Sequence, residues 1–235
     1  MIFVSVTIFG DSLMKGVLLQ NGKYTVSKAW TSALEQIFGA DLSNKSHFGC
    51  TVEKAMPSIE KYISEREGKS GESYLLIEFG GNDCDYKWAE IAEDPAGAHK
   101  CNTPIEKYSA DMRAIVTKAA DAGIKPAIIT LPPIDAEKYL SFICRNGIDK
   151  ERILDWLIDA GDIEWWQGTY SSMARQIARE EAIPVIDLRS AVLGSGVRKA
   201  ELTCDDGIHL SPEGQQIALE QFSRFAGEYM LRKVS

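Results

Sequence analysis

Residues 1–13 read MIFVSVTIFGDSL. The run from Ile2 to Phe9 is β-branched and aromatic and stops at Gly10-Asp11, so it predicts a buried strand followed by a turn. The pattern returns at Tyr74 to Phe79 (YLLIEF), which runs into Gly80-Gly81-Asn82-Asp83. It returns again at Ala127 to Leu131 before Pro132-Pro133, and at Pro184 to Leu188, while Asp41 to Phe48 forms a weaker strand. Between these lie helical patterns. Trp30, Leu34, Ile37 and Phe38 recur before a stop at Gly39. Val52, Met56, Ile59 and Ile63 mark a second helix, in which Pro57 is either a kink or the true start. Thr103-Pro104-Ile105-Glu106 reads as a capping box opening a helix to Gly123. Thr169 to Glu181 is helical, and Ser211-Pro212 opens the last helix.

Five short buried strands separated by helices predict a parallel sheet covered on both faces, hence one three-layer α/β/α domain over residues 1–235. Two segments are longer than simple connections need, at about 84–102 and 134–167. Both leave the carboxyl ends of strands, where open α/β sheets bind ligands, and are expected to act as lid-like insertions. The tryptophans they carry, Trp88, Trp156, Trp165 and Trp166, either line an acyl or sugar pocket or pack the insertions onto the body.

Composition narrows the function. The 235-residue chain is 45% hydrophobic and 26% charged, which is that of an ordinary globular protein. Its formal charge of -8 and pI near 5.0 oppose general attraction to nucleic acid or anionic lipid. Five scattered cysteines with no metal-ligand spacing read as free thiols in a reducing compartment, and metal binding has no support. The N-terminal run has no basic region ahead of it, and no apolar stretch suggests a membrane span, so a cytoplasmic location without membrane insertion is expected.

Three segments place polar groups at strand ends or helix starts: Phe9-Gly10-Asp11-Ser12-Leu13, Gly80-Gly81-Asn82-Asp83, and Asp206-Gly207-Ile208-His209-Leu210-Ser211-Pro212. Acyl transfer requires a nucleophile, a base, a carboxylate that orients the base, and donors for the oxyanion. Ser12, His209, Asp206 and Asn82 fill these roles once each. His47 and His99 lack a carboxylate at comparable spacing, and Asp205 stands beside Asp206 as a second carboxylate in range of the base. Asp11 and Asp83 are expected to brace their turns. The turn after the first strand is neither a P-loop nor G-x-G-x-x-G, and Asp11 would oppose a phosphate, which disfavours a flavodoxin-like binding protein.

With these residues in order near the start, middle and end, the sequence resembles the GDSL, or SGNH, hydrolases. The resemblance maps that family's Ser, Gly, Asn and His onto Ser12, Gly49, Asn82 and His209, and chooses Asp206 as the carboxylate. It implies a flavodoxin-like sheet and an oxyanion hole made by the Ser12 and Gly49 backbone N–H groups and the Asn82 side chain. The expected activity is cofactor-independent hydrolysis of small soluble carboxylic esters with short acyl chains, acetylated carbohydrates among them. A thioesterase or lysophospholipase on the same machinery is the alternative.

Overall fold

The computed structural model describes residues 4–39 and 41–230, so Ile2 and Phe3 of the expected first strand lie outside the described residues. Five strands form the central sheet: β1 (Val4–Phe9), β4 (Leu42–Asn44), β5 (Glu72–Ile77), β6 (Lys125–Ile129) and β7 (Val185–Ile186). All pair in parallel in the order β4-β1-β5-β6-β7, with β1 and β5 in register from Val4 opposite Glu72 to Phe9 opposite Ile77. Counted along the chain that order is 2-1-3-4-5, the flavodoxin-like winding, which reverses direction between β1 and β5. The crevice above that reversal is where such sheets bind ligands.

Strand alternation assigns the two covering layers. On β5, Leu75 and Ile77 face one side while Tyr74 and Leu76 face the other. The first side is covered by α2 (Val52–Arg66), α4 (Ile105–Asp121) and α7 (Gly161–Glu180), through Ile59, Met112, Ile115, Tyr170 and Ile177. The second is covered by α1 (Lys28–Phe38) and α10 (Pro212–Phe225), through Trp30, Leu34, Phe38, Ala218 and Phe222. Full burial of each such large apolar side chain contributes about 1.5–3 kcal/mol. Ser27 caps α1 by accepting from the Trp30 N–H at 3.1 Å, and Gly39 ends it, as expected.

Several boundaries differ from the sequence reading. Pro57 does not start α2, which begins at Val52 under a Thr51 cap. The proline sits on the exposed side, where water can serve the Glu53 carbonyl that lacks its helical donor. Thr103 does not cap α4: its backbone N–H is given to Asp83 O and its carbonyl to the Tyr170 hydroxyl, and Pro104 occupies the cap position. Pro184 to Leu188 yields only a two-residue strand, because Asp187 accepts from the Ser190 N–H at 3.1 Å and starts α8 (Leu188–Gly194) instead. Helix α7 begins eight residues before the expected Thr169. An antiparallel hairpin of β2 (Val17–Gln20) and β3 (Lys23–Val26) was not anticipated, although its Asn21-Gly22 turn, with both φ positive, is a strong hairpin signal.

The two long segments form a roof over the reversal point. They contain α3 (Trp88–Glu93), α5 (Ala136–Cys144) and α6 (Lys150–Trp156), packed into their own apolar cluster with Ile91, Ile134, Leu140, Ile153 and Ile163. A short α9 (Lys199–Leu202) precedes the loop that carries His209. Among the described residues no helix is long and apolar enough to cross a membrane.

Candidate active site

The turn after β1 is held by its own carboxylate and by two neighbours. Asp11 Oδ1 accepts the Leu13 N–H at 2.8 Å, the expected bracing of the turn. The Met14 carbonyl accepts from Trp30 Nε1 at 3.0 Å and from Asn44 Nδ2 at 2.8 Å. These bonds fix the backbone on both sides of Ser12, whose hydroxyl is left for the crevice.

On the neighbouring strand, the Gly80–Asp83 turn is tied inward. Tyr108 donates its hydroxyl to Phe79 O at 2.9 Å, and Asn102 Nδ2 donates to Asn82 O at 2.9 Å. Asn82 Nδ2 gives one hydrogen to Asp11 Oδ2 at 2.8 Å, which joins the two turns across the reversal point. Asp83 reaches further than a local brace, since its carboxyl accepts the Val52 N–H at the start of α2, at 3.1 and 3.3 Å. Burial, opposed by those bonds, pushes the Asp83 pKa up to about 6.

The third segment supplies an imidazole. Asp206 is fully buried, and its Oδ1 accepts the N–H groups of Ile208 at 3.1 Å and His209 at 3.0 Å. Its Oδ2 lies 2.6 Å from His209 Nδ1, and His209 Nε2 lies 2.8 Å from Ser12 Oγ. A carboxylate only accepts, so Nδ1 carries the imidazole proton and Nε2 presents a lone pair to the Ser12 hydroxyl. Burial alone would raise the Asp206 carboxyl; the bond to His209, its charge and the two backbone donors outweigh that and hold it below the ordinary value. Asp205, the neighbouring carboxylate, is exposed.

Two features fix the His209 ring. Phe48 stacks on it at 5.9 Å and Tyr24, from the hairpin, meets it edge-on at 5.3 Å. The loop backbone is also bolted to the roof: Asp135 N–H donates to Gly207 O at 2.8 Å. A Cβ on Gly207 would lie 2.4 Å from Asp135 O, and φ there is +74°, so only glycine fits this contact.

Ser12, Asn82 and His209 all line one cavity of about 230 Å³, and Trp88, Trp156, Trp165 and Trp166 wall it. The roof tryptophans therefore line the pocket as well as packing the roof. Trp88 Nε1 donates to Asp85 Oδ1 at 2.9 Å and Trp166 Nε1 to Cys84 O at 3.0 Å, so those rings are fixed by the protein. Trp165 is 69% exposed at the rim. Gly49 does not line the cavity; it follows Phe48 in the loop packed over His209, with φ +67°, and its N–H makes no hydrogen bond among the described residues. His47 is exposed, and His99 bonds the Asp94 carbonyl on the roof.

Glu78, Tyr24, Phe48 and Asn44 were not singled out by sequence reasoning. Glu78 carried a signal, an acid inside the otherwise apolar run from Tyr74 to Phe79; Tyr24 in the hairpin, Asn44 at the end of β4 and Phe48 in the loop after it meet His209 or the Ser12 turn only through the fold.

The model of the GDSL-like Lipase/Acylhydrolase family matches residues 8–217. Among curated relatives, a GDSL esterase/lipase of Oryza sativa subsp. japonica, WDL1, is 24% identical over 225 residues, covering 94% of this chain and 76% of the relative. The Arabidopsis thaliana GDSL esterase/lipase CPRD49 is 23% identical over 235 residues, covering 95% and 78%. Among solved structures, the acetylxylan esterase Axe2 of Geobacillus stearothermophilus superposes with a TM-score of 0.64 at 17% identity, over 95% of this chain and 94% of that one. A lipase/acylhydrolase of Enterococcus faecalis gives 0.62 at 17% identity, over 95% of each chain. At such identities these structures speak for the fold alone.

Proposed function

From the premise that the chain belongs to the GDSL-like lipase/acylhydrolase family, we propose that this ester-bond hydrolase cleaves small carboxylic esters by acyl transfer through Ser12. The observation that carries the mechanism is the continuous chain Ser12 Oγ, His209 Nε2, His209 Nδ1, Asp206 Oδ2, with links of 2.8 and 2.6 Å, opening into the tryptophan-walled cavity.

In this reading Ser12 Oγ attacks the ester carbonyl while its proton passes to His209 Nε2. The imidazolium that forms is stabilised by Asp206, and it then protonates the departing alkoxide. Water, deprotonated by the same nitrogen, cleaves the acyl-Ser12 ester and releases the acid. Asn82 Nδ2 has given one hydrogen to Asp11 and has a second for the oxyanion. The backbone N–H groups of Ser12 and Gly49 are the further donors, as the resemblance implies.

Substrate size follows from the cavity. About 230 Å³ lies below the roughly 300–1,000 Å³ typical of pockets for drug-sized ligands. The roof spends its apolar side on its own cluster, while acidic residues such as Glu90, Glu93, Asp159 and Glu164 repel an anionic lipid surface. Short acyl esters therefore fit best. Acetylated carbohydrates suit the walls, since tryptophan rings pack well on sugar faces, and the fold neighbour Axe2 is itself an acetylxylan esterase. We read the chain as one domain with both insertions serving as roof, acting on a small molecule without cofactor.

The test is direct. The wild type should hydrolyse p-nitrophenyl acetate and be labelled by a serine-directed phosphonate, and Ser12→Ala should abolish both with the thermal melt unchanged. Undiminished turnover by Ser12→Ala would refute the mechanism. A panel pairing each ester with its thioester would reveal a thioesterase.

A further inference from the structure

Glu78 is the one acid in the apolar run YLLIEF (Tyr74 to Phe79), lies beneath the nucleophile turn and is fully buried. Its Oε2 accepts the Asp11 N–H at 3.2 Å, while Oε1 meets no donor among the described residues. The Glu78 and Asp11 carboxyls are buried against each other, and a proton on either one would let it donate to the other. Asp11 also accepts from the Leu13 N–H and from Asn82 Nδ2. Among the described residues no lysine or arginine pairs with either acid. Two buried carboxylates in contact without a cation repel strongly, so one of them stays protonated. Burial raises both, and for Glu78 the Asp11 charge adds to it, whereas the Leu13 N–H and His209 favour an ionised Asp11. The proton therefore belongs to Glu78.

We propose that Glu78 is a positioning residue for the oxyanion donor: as a neutral acid it donates to Asp11, and Asp11 in turn holds Asn82 Nδ2 with its second hydrogen toward the reacting carbonyl. The proposal rests on the esterase reading for its catalytic consequence, and for its structure on the burial of both acids, the Asp11 N–H bond to Glu78 and the Asn82 bond to Asp11. Ionising Glu78 would break the bond to Asp11 and place a second negative charge under the site where the oxyanion develops. Turnover should then fall as pH rises through the Glu78 titration. The other titratable groups facing it are Asp11 after β1, Asp83 after β5, Tyr108 on α4 and Cys50 before α2. A variant must therefore separate its contribution from theirs.

Glu78→Gln keeps a neutral donor for Asp11 and an acceptor for the Asp11 N–H; Glu78→Leu keeps neither. With p-nitrophenyl acetate, Glu78→Gln should hold kcat within about threefold of wild type and lose the alkaline fall attributed to Glu78. Glu78→Leu should lose about ten- to a hundredfold in kcat with KM within about twofold, part of the roughly hundred- to thousandfold that one oxyanion donor supplies. Carbon-13 NMR of the Glu78 carboxyl should show the acid form at neutral pH, a reading independent of activity and of whether Glu78→Leu folds. A carboxylate resonance there, or a Glu78→Gln profile with the wild-type alkaline limb intact, overturns the proposal. A protonated Glu78 in a protein inactive on every ester would instead overturn the esterase reading and leave the hydrogen-bond relay standing.

Discussion

Replacing Asp206 with asparagine exchanges one acceptor atom for a donor at the most buried point of the proposed triad. The Oδ1 position still accepts the Ile208 and His209 N–H groups, so the loop should hold its shape. The change falls on Oδ2, which lies 2.6 Å from His209 Nδ1. An amide NH2 there faces an N–H, two donors in contact, and the imidazole escapes by moving its proton to Nε2. That proton then points at Ser12 Oγ, 2.8 Å away, and the base has no lone pair for the nucleophile. Fixing the wrong tautomer in this way costs roughly ten-thousand-fold in kcat, about 5 kcal/mol at about 1.36 kcal/mol per tenfold. The assay is steady-state hydrolysis of p-nitrophenyl acetate, with a thermal melt to confirm the fold and proton NMR to follow the low-field Nδ1–H resonance. Loss of turnover together with that resonance is the expected outcome. A correctly folded variant with kcat within about tenfold of wild type would refute the tautomer argument and the role given to Asp206.

Asn82→Ala should lose about a hundred- to a thousandfold, chiefly in kcat, since the amide acts in the transition state; a loss confined to KM would make Asn82 a substrate-binding residue. Across p-nitrophenyl esters, kcat/KM should be highest from acetate to butyrate; a steady rise to decanoate would show that the roof opens onto a deep apolar channel. Burial raises Asp83 from 3.8 to about 6, so the folded state binds its proton more tightly than the unfolded chain does. Its contribution, about 3 kcal/mol, is therefore full below about pH 4 and lost as pH rises through about 6. Urea melts of Asp83→Asn should be flatter with pH across that window than those of wild type; identical slopes would show that Asp83 titrates normally.

The sheet and the four side chains of the proposed site were legible because each is announced locally. A buried strand is a contiguous apolar run, and Ser12, Asn82 and His209 sit in turns whose glycines and carboxylates have no place inside an element. The roof was less legible because α5 and α6 turn their apolar faces toward each other and toward Trp88 rather than toward the sheet, which mixes their periodicity with charge. The Thr103–Glu106 capping signal misled because its backbone groups are already claimed by Asp83 and Tyr170, partners distant in sequence. The β2–β3 hairpin was readable from Asn21-Gly22 alone, yet what it does, setting Tyr24 against His209, depends on the fold.

The seam between roof and base loop has a consequence for engineering. Asp135 bonds Gly207, and Lys138 Nζ reaches the carbonyls of Ala200 at 2.6 Å and Thr203 at 3.0 Å, so the foot of the roof and the His209 loop form one mechanical piece. A roof transplanted from a relative to alter substrate choice would arrive without its matching footing, and its first cost would be a displaced imidazole rather than a reshaped pocket. Chimeras should accordingly exchange 134–167 together with 199–209 as a single cassette. Directed evolution aimed at the pocket should leave Asp135, Lys138 and Gly207 alone and diversify Trp156, Leu157 and Trp165, which meet the cavity beyond that footing.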